Sequence, residues 1–258
     1  MSPSLVRQKI DRREPVWSAK ACYGDPELVE LMGSFGFDGI WICLEHKWLA
    51  PSTTYSLIQA CRLAGTDAII RVKPANYSDL LYLLEAGARG IMLPRVRHSD
   101  EVREVVAAMK FQPLGRRGCD CIHPDAHFGL ISTSEYMAMA NHETYLIVQV
   151  EETEVIPHLE TIAALPGVDV LFVGPGDLSN GMRAGGQVNG SEVMAVIRQV
   201  AEVARRHGKV AGIPCTPKQV KQYYDLGYRF FNVVSDYRCL VNGLKQTKAD
   251  LAELGLVH

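Results

Sequence analysis

Two acidic residues follow apolar runs, Glu151 in VQVEE (148–152) directly and Asp177 in VGPGDLS (173–179) across Gly174–Pro175–Gly176. Carboxylates delivered from neighbouring strands suit a hard divalent cation such as Mg2+ or Mn2+, which takes about six oxygen ligands and leaves positions open to water and substrate. A 2-keto acid chelates such an ion through its keto and carboxylate oxygens. The enolate left by carbon–carbon cleavage is held by the same Lewis acid. The alternative is that each acid only caps the helix that follows it, where a negative charge is favourable anyway.

Other polar residues sit at the same kind of place. Arg71, in AIIRVKP, has the planar fork that grips a carboxylate or a developing enolate oxygen, or else forms a structural ion pair across a cleft. Gly174–Pro175–Gly176–Asp177 presents backbone N–H groups at a turn, a ready place for an anion. His46 follows an apolar run and is a candidate general base, although a lone histidine is more often structural. Glu45, beside it, is expected to point the other way and make an ion pair. Two thiols and two imidazoles in Cys119–Asp–Cys121–Ile–His123–Pro–Asp–Ala–His127 have the ligand types of a zinc tetrahedron but fit no common zinc spacing. That segment reads first as a specificity loop.

The elements that must position these groups are legible. Eight short apolar, β-branched runs, at 16–21, 38–44, 67–72, 90–93, 145–150, 169–173, 209–213 and 229–234, alternate with stretches of helical period. Runs such as GIWICL, TYLIVQV and DVLFVG are almost wholly apolar, as parallel strands covered on both faces must be. Amphipathic stretches fall at 53–64, 77–85, 99–109 and 192–207, with Gly65, Gly87 and Gly208 as helix stops. Eight βα units in one chain of 258 residues predict a single-domain α/β (β/α)8 TIM barrel, with its active site at the C-terminal ends of the strands. The longest irregular stretch, 111–132, is then a functional loop.

Composition removes other classes. Hydrophobic residues make up 47% and charged residues 22%, which is not the profile of a disordered chain. A formal net charge of −2 and no basic cluster interleaved with aromatics argue against nucleic acid. No stretch approaches a membrane span, and the polar first thirteen residues lack a signal peptide's apolar run, so a cytoplasmic location is expected. Seven scattered cysteines read as reduced thiols.

Taken as an ordered set, Glu45–His46, Arg71, EAGARGIMLPRV (85–96), GRRG (115–118), VQVEE and VGPGDLS resemble the HpcH/HpaI family of class II pyruvate aldolases, over about residues 16–240. The set is also similar to the wider phosphoenolpyruvate/pyruvate barrel superfamily, with its citrate lyase β-like proteins and oxaloacetate decarboxylases. The resemblance implies a divalent metal (Mg2+, Mn2+ or Co2+) on Glu151 and Asp177, Arg71 on pyruvate and its enolate, and Gln149 beside the metal. It implies that His46 moves the proton of the substrate hydroxyl, and that the amides of Gly176 and Asp177 take the pyruvate carboxylate. No Schiff-base lysine is required, so Lys73 is given no such role. The activity implied is reversible cleavage of a 4-hydroxy-2-oxo acid, of the 2-keto-3-deoxy sugar acid type, to pyruvate and an aldehyde. Oxaloacetate decarboxylase or citrate lyase β-like chemistry and a non-catalytic 2-keto acid binding protein are the alternatives. A homo-hexamer, a trimer of dimers with the C-terminal helix (about 235–256) exchanged between subunits, is implied as well. One position departs from the family: Cys43 stands where an aspartate often precedes the histidine by three residues, and a thiol does not orient an imidazole as a carboxylate does. The acid of the segment at 85–96 is Glu85.

Overall fold

The computed structural model describes residues 3–72, 76–182 and 187–254. Eight parallel strands close into a barrel in sequence order: β1 (Val16–Ala21), β2 (Gly39–Cys43), β3 (Asp67–Arg71), β4 (Gly90–Leu93), β5 (Tyr145–Val150), β6 (Val168–Val173), β7 (Val210–Pro214) and β8 (Phe230–Ser235). Every strand lies where the apolar runs predict, with each end within one residue. The helices in chain order are α1 (Leu5–Arg12), α2 (Pro26–Ser34), α3 (Pro51–Leu63), α4 (Tyr77–Ala86), α5 (Ser99–Met109), α6 (Thr133–Glu143), α7 (Leu159–Ala163), α8 (Pro175–Gly181), α9 (Ser191–Arg206), α10 (Val220–Asp225) and α11 (Asp236–Glu253). At the end of α4 the left-handed backbone of Gly87 (φ 112°) lets its N–H reach back to the carbonyls of Leu83 and Leu84, as a helix stop requires.

Side chains alternate between two cores. Val16, Trp41, Ile69, Met92, Ile147, Val170, Phe172, Val210 and Phe230 fill the barrel interior, while the opposite faces of the strands pack under the helices. The polar first residues, which gave no helical signal in the sequence, form α1 and seal the bottom. Val6 enters the inner core there, and the Asp67 carboxylate accepts from the backbone N–H groups of Leu5 and Val6 and from the hydroxyls of Ser4 and Tyr145.

The 111–132 loop is tied down rather than open. Its 3-10 turn at Pro124–Gly129 is pinned by an Arg89–Asp125 ion pair at 2.6 Å, and the Tyr136 hydroxyl donates to Asp125 at 3.2 Å. His123 is turned inward, where Nδ1 accepts the Ala126 N–H at 3.3 Å, while the Cys119 and Cys121 sulfurs lie 3.6 Å apart. Among the described residues no three His, Cys, Asp or Glu side chains converge on one metal position, so the zinc tetrahedron is not assembled. No described helix is long and apolar enough to cross a membrane.

Candidate active site

Inward alternation along each strand decides what faces the barrel mouth. On β3, Ile69 lies in the inner core and Arg71 comes two residues later; on β5, Ile147 is followed in the same way by Gln149 and then Glu151. Arg71 is only 4% exposed. Its Nη2 donates to the Cys43 sulfur at 3.0 Å, Nη1 meets Gln149 Oε1 at 3.4 Å and Glu45 Oε2 at 3.2 Å, and its plane stacks 4.8 Å from the centre of the Trp41 ring. Among the described residues its Nε has no hydrogen-bond partner.

Gln149 links this cation to the acids, since its Nε2 donates to Glu151 Oε2 at 3.1 Å. The other oxygen of Glu151 accepts the Arg95 N–H at 2.8 Å. Glu151 is 2% exposed, and its carboxyl is pushed up to about 6. Burial is the main cause. The Arg95 N–H opposes it, the charges of Glu45 and Asp177 add to it, and Arg71 opposes it more weakly. The Asp177 carboxylate, half exposed, lies 3.9 Å from Arg95 Nη1, which also holds Glu152 at 2.7 Å.

The turn after β6 passes close against Glu151, and the charge of Asp177 further along it is among those that raise the Glu151 carboxyl. A Cβ on Gly174 would sit 2.9 Å from both Cβ and Oε2 of Glu151, so only glycine lets the chain pass this close. A Cβ on Gly176 would meet nothing within 4 Å, so this turn faces open space. The donor set fits a hard divalent cation: a buried carboxylate made harder to ionise by two others is what such an ion relieves, and its ligands are oxygens. Were Glu151 and Asp177 its protein ligands, the remaining positions would fall to water and substrate.

The strand-end histidine and its neighbour exchange places relative to expectation. The chain bends over residues 44–47, so the two-residue alternation of β2 no longer applies there. Glu45 turns into the mouth onto Arg71, and His46 turns out to the rim, 61% exposed, with Nε2 3.6 Å from Glu45 Oε2. Glu45 does make the expected ion pair, but inside the site. Cys43 does not touch the imidazole; its sulfur accepts the His46 backbone N–H at 3.4 Å and the Arg71 guanidinium. Arg95 was given no role from sequence, yet it contacts or approaches four acids here. Its left-handed backbone (φ 57°), strained for a residue with a side chain, is the local mark of that constraint, and it is visible only in three dimensions. Lys73 lies outside the described residues.

The model of the HpcH/HpaI aldolase/citrate lyase family matches residues 21–243. A hydroxypyruvate/pyruvate aldolase of Delftia acidovorans is 31% identical over 256 residues, covering 95% of this chain and 89% of that protein. A 2-dehydro-3,6-dideoxy-6-sulfogluconate aldolase of Pseudomonas putida is 32% identical over 214 residues, 83% of either chain. The crystal structure of an HpcH/HpaI aldolase/citrate lyase family protein from Burkholderia cenocepacia superimposes with a TM-score of 0.89 at 28% identity, over 96% of this chain and 99% of that one. The closed barrel, the polar network at its mouth and these likenesses agree, and the chain belongs to the HpcH/HpaI aldolase/citrate lyase family, as a carbon–carbon lyase of the aldolase type.

Proposed function

We propose that this enzyme reversibly cleaves a 4-hydroxy-2-oxo acid to pyruvate and an aldehyde, with a divalent cation (Mg2+, Mn2+ or Co2+) held by Glu151 and Asp177. The observation that supports this best is the carboxyl of Glu151, buried beside Glu45 and Asp177 and linked through Gln149 to Arg71. The bound ion supplies Lewis-acid polarisation of the 2-oxo group.

The chain's own groups do the rest. Arg71 offers N–H donors to the 2-oxo oxygen, where negative charge develops as the C3–C4 bond breaks and its electron pair passes to C3. Gln149 keeps Arg71 and Glu151 in fixed relation. His46, on the rim, takes the proton of the 4-hydroxyl as the aldehyde carbonyl forms, and a proton delivered to C3 completes pyruvate. The N–H groups of Gly176 and Asp177 receive the substrate carboxylate at the open turn.

Residues 1–258 are read as one domain. The α11 helix is read as the element exchanged between subunits of a hexamer, because Tyr237, Leu240, Leu244 and Leu251 share one face of it and all are exposed. A cytoplasmic location accords with this reading.

Exchange of pyruvate methyl protons in D2O, followed by NMR, tests the chemistry without needing the aldehyde. Exchange that is abolished by EDTA and restored by Mg2+ or Mn2+ is the expected result. Full exchange in the metal-stripped protein would refute the mechanism.

A further inference from the structure

A cavity of about 470 Å3 opens from the Pro175–Gly176 turn on the β7–β8–β1 side of the mouth, and beyond Gly176 nothing in the proposed chemistry uses its lining. It is lined by Pro175 and Gly176 and by Trp41, Lys20, Asn232 and Arg238. Its volume suits a small-molecule substrate.

Lys20 is the unusual member. It ends the inward row of β1, two residues after buried Ser18 and four after Val16, which lies in the inner core. Lys20 is part-buried, so an anion reaching it from the cavity meets its charge with less screening than at an open surface. Among the described residues Lys20 makes no ion pair, and its Nζ lies over the Trp41 ring, 4.6 Å from the centroid. The same ring carries Arg71 at 4.8 Å, so the two cationic centres lie no more than about 9 Å apart. A short carbon chain extending from the 2-oxo group beside Arg71 spans that distance.

The surroundings add positive character. Arg238, in the first turn of α11, lines the cavity and has no ion pair among the described residues. The nearby carboxylate, Asp236, is already committed to the backbone N–H groups of Cys22, Tyr23 and Tyr237. The indole of Trp41 is 6% exposed, and among the described residues its Nε1 donor is unpartnered.

We propose that Lys20 and Arg238 form an anion subsite that binds a carboxylate, sulfonate or phosphate at the far end of the aldehyde half of the substrate. The enzyme then takes 4-hydroxy-2-oxo acids with an anionic group at each end, the Gly176 and Asp177 amides receiving one and Lys20 the other. This rests on the pyruvate-aldolase reading of the site.

The test compares aldol addition of pyruvate to succinic semialdehyde, which ends in a carboxylate, with addition to butanal, which is uncharged and of equal chain length. The wild-type enzyme is expected to favour succinic semialdehyde in kcat/KM by tenfold or more, through KM. Lys20→Met should cut that preference about tenfold, and Lys20→Arg should keep most of it. Thermal unfolding checks that each variant is folded. An unchanged preference in Lys20→Met, or none in the wild type, overturns the subsite. Trapping of pyruvate on Lys20 by borohydride also overturns it, since the lysine would then be a nucleophile. Pyruvate proton exchange involves no aldehyde, so its absence in the wild type would signal failure of the aldolase reading and not of the subsite.

Discussion

Arg71 is held from several sides, by a thiol, an amide, a carboxylate and an indole face, which fixes the direction of its fork before substrate arrives. A planar guanidinium cannot be replaced by a point charge at such a place. Arg71→Lys should lower kcat for aldol cleavage about 100-fold with a smaller change in KM, measured by coupled detection of pyruvate. Glu151→Gln keeps the shape and the Gln149 contact but removes the charge a cation needs. It should reduce metal-dependent pyruvate proton exchange at least about 100-fold. Arg71 and Gln149 were legible as candidates because they lie at the ends of β3 and β5, and Glu151 because it directly follows β5, where the barrel rule places chemistry; Asp177, in the first turn of α8, was legible through the Gly174–Pro175–Gly176 turn before it. Glu45 and Arg95 were misplaced or missed because they lie on bends, where no side-chain period holds.

Two connections between elements have consequences that can be measured. In the turn from β6 to α8, Gly174→Ala would drive a methyl group into Glu151, and φ at this residue is −102°, so the effect is steric and not conformational. Urea unfolding should show a loss of about 1–3 kcal/mol, accompanied by a drop in activity as Glu151 is displaced. Where α5 meets the α6–β5 turn, Lys110 is buried, and its Nζ donates to the carbonyls of Asn141 and Thr144 and to the Thr144 hydroxyl. Burial lowers its pKa to about 8, while in the unfolded chain it titrates near its ordinary value. The lysine's contribution is therefore greatest above about pH 10.5 and is lost as pH falls through about 8. Compared with Lys110→Met, the wild type should gain roughly 2–3 kcal/mol between pH 7 and 10 in urea unfolding. A difference that stays flat with pH would show that the lysine is not desolvated as the structure implies. Nothing in the sequence marked Lys110, because a lysine at a helix end ordinarily reads as solvated.

At the scale of the whole molecule, α11 leaves an apolar face uncovered in the single chain. If that face seats a neighbouring subunit, Leu244→Asp should shift the sedimentation coefficient to that of a smaller species, and an unchanged assembly would rule the face out as the contact. The repeated rhythm of apolar run and amphipathic stretch settled the number, order and boundaries of the strands, since a parallel strand buried on both faces can hardly be written in any other composition. The same rhythm settled where the strands end, and with that the candidates Arg71 and Glu151. It could not settle the bends beyond the strands, where Glu45 turned inward and His46 outward, or the fate of the first dozen residues, whose helix is held by burial of Val6 and by Asp67 rather than by its own pattern. Nor could it show that Lys20 and Arg238, 218 positions apart in the chain, line one cavity. Closure of the barrel joins β8 to β1, and only that closure brings the two ends of the sequence to the same side of the site.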